Sequence, residues 1–163
     1  MAAAKSSIKK ITLVAADDSL FEVEPNIVKE MKTVQSYMDE VDQNNVTIPL
    51  PNVFSDDLAM IIEYCKKHVS EEETKEAKEE FDVEFVKGLK SDDKFRLLQA
   101  ASYLNMESLL QFFAKAIADE IENQSVEFVR EYFHIENDFT PEEESEIRKQ
   151  NEWAFQKESK DQK

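Results

Sequence analysis

Val46-Thr47-Ile48-Pro49-Leu50-Pro51-Asn52-Val53-Phe54-Ser55-Asp56-Asp57-Leu58 changes character midway, and that change decides the class of fold. Residues 46 to 51 read as a short strand. Pro49 and Pro51 cannot donate to a neighbouring strand, so they confine it to a sheet edge or a strand end. Ser55 then reads as the cap of a helix with Asp56 and Asp57 in its first turn, where carboxylates favour the positive end of the helix dipole. Leu58, Ile61, Ile62, Cys65 and Val69 fall on one face of that helix.

Upstream, Ile8 to Ala15 and Leu20 to Glu24 are β-rich runs separated by Asp17-Asp18-Ser19, a hairpin pattern. From Pro25, the side chains of Ile27, Met31, Val34 and Met38 recur at helical spacing. The first seventy residues therefore read β-β-α-β-α, an α+β arrangement.

Downstream, Ser70 to Glu80 holds six glutamates and two lysines with no bulky apolar residue, and is expected to be a solvated acidic loop. A short helix follows over Asp82 to Leu89. Ser91-Asp92-Asp93 opens another, with Phe95, Leu98 and Ala101 on one stripe, which Asn105 can end. Met106 to Glu122 is the most apolar helix. Leu109, Leu110, Phe113, Ile117 and Ile121 line one face, while Phe112 and Ala116 widen it enough to require contact from more than one side. A mixed domain over 1–122 and a helical extension over 123–163 follow from this pattern.

The extension contains a conflict. Ser125 caps a short helix, and Thr140-Pro141-Glu142-Glu143 is a strong start for another, with a capping box from Thr140 to Glu143 and proline in the first turn. Yet Ile147 is the only aliphatic side chain between Pro141 and Glu152. Trp153 and Phe155 follow, and Phe128, Tyr132, Phe133, Ile135 and Phe139 precede. Residues 112–155 hold eight of the sixteen aromatic side chains, the residue type that concentrates at interfaces. Large apolar groups on sparsely supported helices predict a docking surface that a second polypeptide covers.

Composition narrows the function. A net charge of −16 opposes nucleic acid and anionic membrane and favours basic partners. No run approaches the ~20 apolar residues of a membrane span. The single glycine, Gly88, excludes phosphate-cradling loops. One cysteine and the absence of an apolar stretch in Met1 to Lys10 predict an intracellular protein, in which the Asn45-Val46-Thr47 and Asn123-Gln124-Ser125 sequons carry no consequence. Cys65, His68 and His134 are too few and too poorly spaced for a zinc site, and Asp42 to Val53 lacks the glycine and glutamate of a calcium loop. Cys65 and His68, three apart on one helix, could form a nucleophilic pair, but no oxyanion hole or orienting third group accompanies them, and His68 is expected at an exposed helix end. No enzyme, no metal and no cofactor is expected.

Phe133-His134-Ile135-Glu136-Asn137-Asp138-Phe139-Thr140-Pro141-Glu142-Glu143-Glu144, followed by Ile147 to Trp153, closely resembles the C-terminal signature of the S-phase kinase-associated (Skp-type) adaptors of SCF ubiquitin ligases. Val46 to Val53, Ile62 to His68 and Leu98 to Leu110 resemble further segments of that family, in order. The resemblance implies a BTB/POZ-type domain followed by helices that cradle an F-box motif, and a non-catalytic adaptor bridging F-box proteins to a cullin amino-terminal domain in the nucleus and cytoplasm. It would place the F-box surface on Phe95, Leu98, Leu110, Ile117, Ile121, Phe133, Ile135, Asn137, Phe139 and Trp153, and the cullin side at Ser102 and Tyr103. The chain departs from the family pattern at Asp18 (usually glycine), Phe81 (tryptophan), Ser102 (asparagine) and Glu107-Ser108 (lysine-glycine), as a diverged paralogue would. Sequestration of F-box or basic partners without a cullin is the alternative, and the uncovered apolar surface leaves open a weak homodimer of the free chain.

Overall fold

A computed structural model describes residues 10–41 and 45–155. The leader reading of Met1 to Lys10, residues 8 and 9 of the first strand run, part of the Asp42 to Val53 segment and the Phe155 side chain lie outside that description. The chain divides into two compact units, residues 1–122 and 123–163.

The first unit is built on a three-stranded sheet in the order β2-β1-β3. Strand β1 (Lys10–Val14) pairs antiparallel with β2 (Leu20–Val23), with Ile11 opposite Val23, and parallel with β3 (Asn45–Pro49), with Ile11 opposite Val46 and Leu13 opposite Ile48. Alternation puts Ile11, Leu13, Val23, Val46 and Ile48 on the buried face. The proline-bearing strand lies at an edge, and the Leu50 N–H between the two prolines donates to the Val14 carbonyl at 2.7 Å. Asp18 turns the hairpin at φ 63°, a left-handed conformation that aspartate tolerates better than most residues.

Among the described residues, this unit carries five helices: α1 (Lys32–Glu40), which packs on β3, α2 (Ser55–Val69), α3 (Lys75–Lys87), α4 (Ser91–Tyr103) and α5 (Glu107–Ile121). The stripe from Ile27 to Val34 is buried as its spacing predicts, but the helix starts only at Lys32. Before it, Ile27 and Met31 donate to Glu24 and Val28, three residues back, so the burial pattern of a helix continues through successive tight turns. Ser55 is not the cap of α2 either. It is the first helical residue, and its hydroxyl donates to Asp17 at 2.5 Å, tying the hairpin turn to the helix start and holding the Asp17 carboxyl below its usual range.

The acidic segment 70–80 is only half a loop. Thr74 caps α3 by accepting from the Ala77 N–H at 3.1 Å, so residues 75–80 are helical. The missing apolar anchorage is replaced by Lys67 bound to Glu73 at 2.6 Å and by Lys78 donating to the His68 carbonyl at 2.9 Å. Farther along, Phe85 reaches Tyr64 at 5.8 Å and Phe113 at 6.2 Å between ring centroids, so α3 is seated on α2 and α5 by aromatic contacts.

Among the described residues, two charged side chains are buried. Asp57 in the first turn of α2 accepts from Arg96 Nε at 3.3 Å, and Arg96 also binds Asp93 at 2.8 Å. Lys94 of α4 pairs with Glu120 of α5. Removing one partner of a buried pair leaves a charge stranded, whereas replacing the buried ammonium by an apolar group of similar length does not. Glu120→Ala should therefore cost about 2 kcal/mol of stability and Lys94→Met less than about 1, compared by denaturant unfolding. Equal losses would show that the pair contributes only packing.

Candidate partner-binding surfaces

In the second unit, Ser125 caps α6 (Val126–Tyr132), accepting from the Phe128 N–H at 3.1 Å. The helix ends in a Schellman turn: His134 takes φ 54°, its N–H donates to Glu131 at 3.2 Å, and the Ile135 N–H reaches back to Arg130 at 2.8 Å. Helix α7 (Pro141–Gln150) begins with the complete capping box, the Glu143 N–H to Thr140 Oγ1 at 3.2 Å and the Thr140 N–H to Glu143 Oε2 at 2.9 Å. It stops at Asn151, and α8 (Glu152–Phe155) follows as a separate short helix.

Charged and amide side chains link α6 and α7 in this unit. Glu144 of α7 accepts from Arg148 at 3.2 Å, from Arg130 of α6 at 3.4 Å and from Asn137 Nδ2 at 3.3 Å, while Arg148 reaches Glu127 at 2.8 Å. The Asn137 bond, followed by that from Arg148, keeps the Glu144 carboxyl below its usual range. The Asn137 carbonyl oxygen also accepts from the Phe139 N–H at 3.2 Å. Asn137 thus fixes the path of the connector from within the unit, which sets the positions of Ile135 and Phe139.

The apolar side chains, by contrast, face solvent. Trp153 is 75% exposed, Ile135 55%, Phe139 48%, Ile147 40% and Phe128 38%. Phe133 is half-buried and meets Tyr132 edge-on at 5.2 Å. So many large apolar side chains exposed on one small unit form a surface that is expected to be completed by another chain. Phe128 and Ile147 join it on exposure. Each stands within a turn or two of the aromatic and aliphatic side chains already singled out.

In the first unit, Phe95 and Leu98 on α4 and Leu110 and Ile121 on α5 are half-buried, while Ile117 is nearly covered at 6%. Leu110, Ile117 and Ile121 share one face of α5 at a spacing of seven and then four residues. Of the expected F-box residues, Ile117 therefore has little surface to offer directly.

Ser102 is exposed and Tyr103 half-buried at the end of α4. Thr33 of α1 holds this end: its hydroxyl donates to the Tyr103 carbonyl at 2.8 Å and its N–H to that of Leu104 at 3.2 Å. Asn105 closes a second Schellman turn at φ 54°, with its N–H on Ser102 at 3.1 Å and that of Met106 on Ala101 at 2.9 Å. A hollow of about 390 Å³ beside it is lined by Lys32, Thr33, Ser36, Tyr37, Glu40 and Asn105. Tyr37, 43% exposed on α1, adds an aromatic group to this side that helical periodicity alone did not single out.

The Cys65–His68 pairing is not formed. His68 stacks on Tyr64 at 4.1 Å and its Nε2 lies 2.6 Å from Asp82, so it is half-buried and occupied, not at a free helix end. Cys65 is 2% exposed, and burial pushes its thiol from 9.0 up to about 12. The thiolate required of a nucleophile is thus suppressed. Iodoacetamide at pH 8 should label Cys65 only in denaturant, and labelling of the native protein at a free-thiol rate would refute the buried placement. The folded chain keeps the thiol proton where the unfolded chain releases it. That contribution to stability is complete below pH 9 and declines as pH rises toward 12, a decline that Cys65→Ala should lessen.

Among the described residues, no group of three or more His, Cys, Asp or Glu side chains could hold a metal ion, and no helix is long and apolar enough to cross a membrane.

A small mixed sheet with five helices, followed by a helical unit with large apolar side chains exposed, defines a non-catalytic adaptor of the BTB/POZ type. Residues 9–70 match the Skp1 family tetramerisation domain and residues 107–154 the Skp1 family dimerisation domain. The chain is 47% identical to SKP1-like protein 17 of Arabidopsis thaliana over 91% of its own length and 99% of that protein's. It is 45% identical to SKP1-like protein 14 and 40% to SKP1-like protein 1A of the same plant, over 92% of its length and 99% of theirs in both cases. The chain belongs to the Skp1 family, the adaptors that link F-box proteins to a cullin in SCF-type ubiquitin ligases.

Proposed function

We propose that the F-box protein is gripped by Ile135, Phe139 and Trp153, with Phe133 beside them and Asn137 setting their positions, and by Phe95, Leu98, Leu110 and Ile121, with Ile117 beneath. The observation that carries this reading is the exposure of Trp153, 75% in a unit whose helices are linked by charged and amide side chains. The cullin amino-terminal domain docks at Ser102 and Tyr103, on the helix end that Thr33 braces. Without a receptor, the same apolar side chains pair two copies weakly, since a net charge of −16 on each opposes a tight dimer. That charge also argues against nucleic acid as a partner. The adaptor acts in both nucleus and cytoplasm.

Co-purification of the full chain with an F-box protein and, separately, with a cullin amino-terminal domain tests both surfaces. Retention of the F-box protein at ~1 M salt is expected, because apolar anchors outlast screening of surface charge. Release at that salt, or no retention at all, would overturn the apolar assignment. Loss of the cullin alone would overturn the Ser102–Tyr103 site.

A further inference from the structure

An apolar groove of about 440 Å³ runs between α3 and α5, with Val83, Val86, Phe112 and Ala116 at its base. On α5, Phe112 and Ala116 lie on the side of the helix away from Leu110 and Ile121, so this groove is separate from the F-box face. Val83 is 53% exposed and continuous with Val86, Phe112 and Ala116 along the groove, so the apolar surface is a strip and not a single side chain.

Charge identifies the occupant. The walls carry Asp82, Asp119 and Glu120, and Glu76, Glu79, Glu80 and Glu84 continue from Val83 along the adjoining face of α3. The wall acids are engaged, Asp82 with His68, Asp119 with Lys115 and Glu120 with Lys94, and Glu84 and Glu79 are matched by Lys87 and Lys75, so the negative charge available to a partner lies along the α3 edge at Glu76 and Glu80. A second copy of the chain would bring the same acidic rim against this one, and polyphosphate would be repelled. Glu76, Glu79, Glu80, Val83, Glu84 and Lys87 recur at helical spacing along three turns, an edge of about 16 Å at 1.5 Å per residue.

We propose that this groove docks a basic amphipathic helix of another polypeptide, with its apolar side chains between α3 and α5 and its lysines or arginines along the α3 glutamates. The adaptor can then hold a cationic partner while an F-box protein occupies the opposite face of α5. This is a helix-in-groove contact whose affinity is supplied by the apolar anchors and whose choice of partner is set by charge.

The test uses the full chain and a fluorescent helical peptide with leucine at every third or fourth position and lysine between. A scrambled peptide of the same composition serves as control. Anisotropy should show saturable binding that is about tenfold tighter than the control, weakens between ~0.05 and ~0.5 M salt, and falls about tenfold in Val83→Arg. Because Val83 is exposed, that variant should fold, and its unchanged capture of an F-box protein would confirm this. Equal affinity for the scrambled peptide would reduce the groove to a non-specific acidic surface and overturn the proposal, as would binding that Val83→Arg does not alter. A large gain in affinity on deleting residues 156–163 would show that the chain's own terminus occupies the groove, with the same consequence.

Discussion

Trp153→Ala should leave the unfolding midpoint of the free chain unchanged and weaken capture of an F-box protein by about 2–4 kcal/mol, the range of an interface hot spot. An indole carries roughly 200 Å² of largely apolar surface, so covering the exposed three quarters at about 25 cal/mol per Å² supplies at most about 4 kcal/mol. Nothing comparable is lost from the monomer, where that surface already meets water. Trp153 is the sole tryptophan, so its fluorescence reports the same event directly: quenched by acrylamide when free, protected and blue-shifted when the partner binds. A Trp153→Ala protein with a lowered midpoint and intact F-box binding would make the side chain part of a fold and remove the principal support for the docking surface.

Phe113→Ala should have the opposite profile. Phe113 is fully buried on α5, with Phe112 at 5.4 Å and Phe85 at 6.2 Å, so truncation removes a large transfer contribution and leaves a cavity among aromatic rings that cannot easily close. A loss of about 3–5 kcal/mol in denaturant unfolding is expected, a large share of the stability of a domain this size. Partner binding should fall only as far as the folded fraction falls. A loss below about 1 kcal/mol would mean that the site collapses around the missing ring and that α3 is less firmly seated than its contacts indicate.

These two aromatics, forty residues apart in the sequence, illustrate which features local patterns reveal. Thr140 and Glu143 close their capping box because every group in it lies within one turn, and Pro49 and Pro51 mark the sheet edge because a missing donor is a local fact. The hydrophobic imbalance of the C-terminal helices was equally visible, since it needs only a count of apolar side chains. What was not legible depended on distant partners. Helix α3 extends into the glutamate-rich segment because Lys78 finds the His68 carbonyl and Phe85 finds Tyr64 and Phe113, contacts that no period within the segment announces. Ser55 resembles a cap until Asp17, across the hairpin, takes its hydroxyl. The stripe from Ile27 to Val34 buries like a helix, yet its first half is turns, because burial periodicity constrains side-chain direction more tightly than hydrogen-bond pattern. Asn137, expected on the partner surface by resemblance, is engaged within the second unit with Glu144 and Phe139, and no local pattern announces the bond to Glu144.

The central strand β1 has neighbours of two kinds, and this orders events during folding. Its antiparallel partner β2 follows after one tight turn, so the hairpin can close on the microsecond scale with little loop entropy to overcome. Its parallel partner β3 arrives only after α1 has been traversed, a longer closure that must wait for Val28, Met31 and Val34 to collapse onto the sheet. In the interval, the second edge of β1 is an open template, the state in which a newly made chain is most prone to pair with a stranger. Once β3 is in place it becomes the outer edge, and Pro49 at its end leaves that edge one donor short, which makes it a poorer template for a stranger.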